Sequence, residues 1–168
     1  MPAFALNASR EKKNRHTVWF ILLTALFFIL LDQLTKVIIQ HYLTLNQSVP
    51  VLKGFLYFTL VCNRGAAFGL FQNQIFLFVL TAVLAVVLLW LEIKKNRQGS
   101  RLYNLAMALL LAGALGNLID RLSRGCVVDF IDFRVWPVFN VADSAISIGA
   151  VLLGYHFLMT NDKIQNPK

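Results

Sequence analysis

Apolar residues fall into four long runs separated by shorter polar stretches. Residues 17–31 (TVWFILLTALFFILL) are uncharged and continue through Asp32 and Lys36 to Ile39, and 71–91 carry no charge until the run ends. The third run, 102–119, reads LYNLAMALLLAGALGNLI, and the fourth, 138–159, is broken only by Asp143. A helix needs about 20 mainly apolar residues, at about 1.5 Å each, to cross a hydrocarbon core of roughly 30 Å. The pattern therefore predicts an all-α membrane protein with four transmembrane helices over about 17–39, 71–91, 102–119 and 138–159. A tail at 1–16 and connecting segments at 44–70 and 120–137 complete one polytopic domain. In the first of these segments VPVLKGFLYFTLVCN, rich in β-branched and aromatic residues around a glycine, predicts short strands.

Composition supports lipid as the solvent: 58% of the 168 residues are hydrophobic and 14% charged, outside the balance of a soluble domain. The net charge of +8 then reads as topology. Arg10, Lys12, Lys13 and Arg15 precede the first run, Lys94, Lys95, Arg97 and Arg101 join the second to the third, and Lys163 and Lys168 follow the fourth. Basic flanks stay cytoplasmic, so both termini and the 92–101 loop are expected inside, and 44–70 and 120–137 outside. No nucleic-acid motif accompanies the charge. No A-x-A cleavage site follows Leu31, so the first run is expected to remain as an anchor rather than leave as a signal. His16, His41 and His156 stand apart and no H-E-x-x-H occurs, so no metal is expected. Cys62 and Cys126 both fall on the outer side, where a disulfide is permitted and two separate thiols are equally compatible.

Polar residues within the runs form stripes. Gly113, Gly116, Asn117 and Asp120 share one helix face, as do Asn140, Asp143, Ser144 and Ser147. In lipid such faces must meet neighbouring helices or a wet cavity. With the N-terminus inside, Asp32, Lys36, Asp120 and Asp143 converge at the outer surface, where Arg64 is expected to join them. Asp129, among Val127, Val128, Phe130 and Ile131, is expected to favour its neutral form through desolvation. Asp143 sits in the first turn of the fourth helix, where the helix dipole favours its ionised form. Unlike environments for two carboxylates suggest a dyad in which Asp143 is the base and Asp129 starts protonated. A plainer reading makes Asn140 an N-cap with Asp143 three positions on, and Asp120 the ion-pair partner of Arg121 with Lys36 or Asp32 involved. Spacing alone does not choose among Asp120, Asp129, Asp132 and Asp143.

Five motifs bear on that choice: DQLTK at 32–36, NRGAAF at 63–68, GALGNLIDR at 113–121, VVDF at 127–130 and FNVADS at 139–144. In these motifs, and in their order, the chain resembles the bacterial lipoprotein signal peptidases, or signal peptidase II, from the first run onward. The resemblance implies that Asp129 and Asp143 are catalytic. It implies site-supporting or substrate-binding roles for Asp32, Lys36, Asn63, Gly65, Gly113, Asn117, Asp120, Arg121 and Asn140. It further implies a small β-rich cradle on the outer face and a substrate that is a prolipoprotein, cut just before a cysteine bearing diacylglycerol. Cyclic peptide inhibitors of the globomycin type, the bacterial inner membrane as location, and no metal or organic cofactor also follow from it. The 14 positions from Asp129 to Asp143 include Trp136-Pro137 where relatives often carry longer insertions, which suggests a trimmed lid.

The competing function is a small proton- or ion-coupled carrier, since intramembrane acids often mark ion paths. A carrier is expected to hold polar breaks near mid-bilayer and an internal repeat, and the second run has no such break. Serine or cysteine nucleophiles would need His41 as base with no third group to orient it, and no G-x-G-D motif is present. Gly65 and Gly69 are expected hinges of the external segment.

Overall fold

The computed structural model describes residues 2–65, 74–95 and 99–165, with side chains at 15–65, 74–95 and 99–160. Its four helices are α1 (Pro2–Tyr42), α2 (Ile75–Lys95), α3 (Arg101–Arg124) and α4 (Val141–Gln165). Strands β1 (Ser48–Leu52) and β2 (Leu56–Asn63) lie between α1 and α2, and β3 (Val127–Asp132) lies between α3 and α4. Each helix contains a stretch long and apolar enough to cross a membrane: Arg15–Tyr42, Ile75–Lys95, Arg101–Arg124 and Val141–Thr160. Residues 71–73 of the second apolar run, and Gly69, lie outside the described residues.

Helix α3 is the axis of the bundle: 67% of its most apolar stretch is buried inside the protein, against none of α2's. It meets α1 and α2 through one apolar cluster that includes Ile21, Ala25, Ile93, Tyr103, Met107 and Leu111. The outward residues of α1 and α2, Phe27 and Leu84 among them, are more than half exposed on the chain itself. A surface of that kind would associate in water and is at home in lipid. The helix also runs past the apolar stretch that announced it, through Asp120 and Arg121 to Arg124. Gly125, at φ 72°, closes it by donating its N–H to the Arg121 carbonyl, a left-handed cap that glycine adopts without strain.

Close approach of α3 and α4 depends on small residues. A methyl group at Gly113 would stand 2.4 Å from the Ala142 carbonyl oxygen and 2.5 Å from Cγ1 of Ile146. One at Gly116 would stand 2.8 Å from the Asp32 carboxylate. With no hydrophobic drive between helices in lipid, such contact is what holds them. Gly113→Ala is expected to push the two helices apart and destabilise the fold by about 1–3 kcal/mol. Denaturation in mixed micelles reads this directly, and an unchanged midpoint would contradict the packing.

The strands form one antiparallel sheet in the order β1-β2-β3, with Ser48 opposite Thr59 and Val61 opposite Asp129. Its inner face packs Leu60, Val128 and Phe130 on Ile39 of α1, which seats the sheet on the end of the helix that also carries Asp32 and Lys36. Cys62 and Cys126 are joined by a disulfide, so the two-thiol alternative is not what the fold adopts. After β3 the chain folds back, and Phe139 bonds to Ile131 in both directions. Asp132, though an acid, is a structural group: it accepts from the Thr59 hydroxyl at 2.6 Å and the Arg134 amide at 2.8 Å. Arg134 in turn lies 3.9 Å over the Tyr57 ring and donates to the Ser48 hydroxyl.

Candidate active site

The first turn of α4 is built around two residues that bond each other. The Asp143 amide donates to Asn140 Oδ1 at 2.8 Å, and the Asn140 amide donates back to Asp143 Oδ2 at 3.2 Å. This reciprocal cap satisfies two amides at the helix start. A third, Ala142 N, donates to Asp32 Oδ1 of α1 at 2.9 Å. The cap and the site are therefore the same residues: capping fixes one oxygen of Asp143, and Asn117 Nδ2 of α3 holds the other at 2.7 Å.

Asn140 also reaches the second acid. Its Nδ2 donates to Asp129 Oδ1 at 2.7 Å, while Asn63 Nδ2, on the neighbouring strand, donates to Asp129 Oδ2 at 3.0 Å. Asn63 is itself oriented by the Gly65 amide, which donates to its Oδ1 at 3.0 Å. Asn117 Oδ1 accepts from Asn140 at 3.1 Å and from Lys36 at 3.4 Å, which leaves only its Nδ2 to face Asp143. Asp129, Asp143, Asn63 and Asn117 border a cleft of about 270 Å³, to which Gly65, Arg121 and the 136–139 turn add walls.

Burial and the neighbouring Asp143 charge push the Asp129 carboxyl up to about 7, against the pull of Asn63, Asn140 and Lys36. Its neutral form is thus favoured in the fold and its charged form in the unfolded chain. Stability from this group is fully present below its ordinary value of 3.8 and is lost as pH rises to about 7. Wild type is expected to show that slope, worth roughly 4 kcal/mol at most, and Asp129→Asn to lack it. Denaturation midpoints at pH 5 and pH 8 test this, and equal slopes in the two proteins would contradict it.

Behind the cleft lies a closed ion cluster. Lys36 Nζ, fully buried, is 2.8 Å from Asp32 and 2.8 Å from Asp120. Arg124 pairs with the other oxygen of Asp120 at 2.6 Å, so two carboxylates face two cations. Asp120 also accepts from the Val128 amide at 3.0 Å, which anchors β3 one residue before Asp129. Asp32, Lys36 and Asp120 therefore support both acids without bordering the cleft. Gly113 sits deeper, at the α3–α4 contact.

Arg121 departs from its expected role as the partner of Asp120. Adjacent residues on a helix point in different directions, whereas positions four apart align, so Arg124 takes that place. Arg121 turns to the cleft, donates to the Asn117 carbonyl at 3.4 Å and lies 5.2 Å from the centre of the Phe78 ring. Arg64 is exposed and takes no part in these contacts. Three contributors went unread in the sequence. Gln33 Nε2 bridges Asp32 at 3.1 Å and Asp120 at 3.0 Å. Arg124 had a signal, its spacing of four from Asp120, hidden because the apolar run stops short of it. The role of Phe139, whose backbone pairs with β3, has no local signal.

Comparison with known proteins gives the family. A family model described as signal peptidase (SPase) II matches residues 24–159. The lipoprotein signal peptidase of Caldanaerobacter subterraneus subsp. tengcongensis is 51% identical over 131 residues, covering 77% of this chain and 89% of its own. That of Halothermothrix orenii is 44% identical over 133 residues, covering 79% and 91%. A bacterial membrane enzyme solved by the in meso method at 2.3 Å superposes with a TM-score of 0.83 at 34% identity, over 90% of this chain and 94% of that one. With most of its length matched, the chain belongs to the signal peptidase II family.

Proposed function

We propose that this protein is a membrane aspartic endopeptidase that removes signal peptides from prolipoproteins, cutting before a cysteine that already carries diacylglycerol. The observation that carries the reading is that Asn140 bonds both carboxylates, Asp129 directly and Asp143 through the helix cap. Asp143 and Asp129 are the catalytic residues. Asp143, whose two oxygens accept from Asn117 and from the helix cap, takes a proton from water as that water attacks the scissile carbonyl. Asp129, neutral at rest, donates to the carbonyl oxygen as it gains charge. The resulting diol collapses when the proton held by Asp143 passes to the leaving amine, and Asp129 regains its own. Asn63, Gly65, Asn117, Arg121 and Asn140 hold or meet the substrate; Asp32, Lys36, Gly113 and Asp120 keep the helices that present it.

The basic flanks favour both termini on the cytoplasmic side of the bacterial inner membrane, with the cleft outward. There it meets a substrate whose signal helix and acyl chains lie in the same bilayer. No cofactor is required by this chemistry, and cyclic peptides of the globomycin type are expected to compete for the cleft.

Purified protein in lipid is expected to cut a diacylglyceryl-modified precursor, leaving a product whose N-terminus is the lipidated cysteine by mass spectrometry. The unmodified precursor is expected to persist. Because neutral Asp129 is the active form, kcat/KM is expected to hold below neutrality and fall about tenfold per pH unit above about 7. Failure to cut the lipidated precursor would sink the reading, and proton flux in vesicles would then test the carrier.

A further inference from the structure

A second cavity of about 520 Å³ meets the first at Asp143. One side is aromatic: Phe133, Trp136 and Phe139. Phe133 is stacked on Phe139, with centroids 5.9 Å apart, and touches Phe55 of the β1–β2 turn at 5.2 Å, so this wall is braced by the sheet. The other side is Ser144, Ser147 and Ile148, which share one face of α4. That face continues inward as Val151 and Tyr155, each at least half exposed, so the cavity opens sideways onto the surface that α4 turns to lipid. The first cavity, by contrast, has Asn117 and Arg121 of α3 in its wall.

A group that reaches Asp143 by this route must be hydrocarbon at its far end and joined to the peptide beside the scissile bond. Between the two cavities stands Ser147, exposed and without a hydrogen-bond partner among the described residues, whereas Ser144 already donates to the Asn140 carbonyl. A free hydroxyl in apolar surroundings suits an acceptor such as an ester carbonyl. We propose that the aromatic cleft takes the ester-linked acyl chains of the modified cysteine, with Ser147 donating to an ester carbonyl and Trp136 dividing lipid from peptide. This rests on the peptidase reading and assigns a separate side of the site to the lipid.

Two precursors, one with long and one with short acyl chains, test it with wild type and Ile148→Trp protein in nanodiscs. Ile148 is more than half exposed, so the larger ring fills the cleft without entering the core. The ratio of kcat/KM for long over short chains is expected to fall about tenfold in the variant, the scale of losing part of an apolar contact. An unchanged ratio overturns the proposal. As a second readout, a diazirine in the acyl chain is expected to label Trp136, Phe139 or Ile148 of Asp129→Asn protein. Labelling of those residues only from a diazirine in the signal peptide would give the cleft to the peptide and overturn it. Wild type that cuts neither precursor removes the peptidase reading, whatever the labels show.

Discussion

Asp129→Asn and Asp143→Asn are each expected to lower turnover of lipidated precursor by about 10²–10⁴-fold while the protein remains folded, and the double variant no further. The non-additivity is the discriminating part. If the two acids act on one water and one carbonyl, removing either disables the step. The fold has reason to survive both changes. An asparagine at 143 keeps an oxygen for the Asn140 amide, so the cap persists, and one at 129 removes a carboxyl that burial disfavours in its charged form. Cleavage assays beside a folding readout decide it. Full activity in either variant would remove that residue from the chemistry.

Lys36→Met is expected to be the most damaging change away from the cleft, costing about 3–5 kcal/mol, the usual scale when one partner of a buried ion pair is removed. It leaves Asp32 and Asp120 buried around a single cation, Arg124, that touches only one of them. Two elements depend on those carboxylates, since Asp32 caps α4 and Asp120 anchors β3, and Lys36 itself reaches Asn117 of α3. Loss of activity alone would not separate a chemical from a structural role. Adding Asp32→Asn to Lys36→Met restores charge balance and is expected to recover part of the stability but not full turnover. A Lys36→Met protein as stable as wild type would refute the cluster as the support of the site.

What could be read from the sequence was what repeats locally. Four apolar runs announced four helices, because crossing lipid sets a minimum length that composition displays. The stripe of Gly113, Gly116, Asn117 and Asp120 also stood out, since a polar face in lipid must have a destination. The destinations were not legible. Arg124 is not legible as a partner of Asp120 because the apolar run stops at Ile119, and the extra turn that brings it into line is polar and leaves no apolar trace. The pairing of β2 with β3 joins residues on opposite sides of two helices, and no local period encodes it. Asn140 illustrates the limit best: its spacing presents cap and site residue as alternatives, although one amide side chain serves both through opposite atoms.

The bridge between Cys62 and Cys126 carries a consequence for how the molecule is made. All of α2 and α3 lies between these cysteines, so their sulfurs meet only after the chain has crossed the bilayer twice and come back to the side it left. Formation of the bond thus records a completed helical hairpin, and it locks Asn63 beside Asp129 at the same moment. A nascent chain stalled with one helix uninserted holds two thiols on opposite sides of the membrane and half a cleft. Biogenesis of this protein therefore has a covalent endpoint, and non-reducing electrophoresis of newly made chains would time the arrival of the site itself.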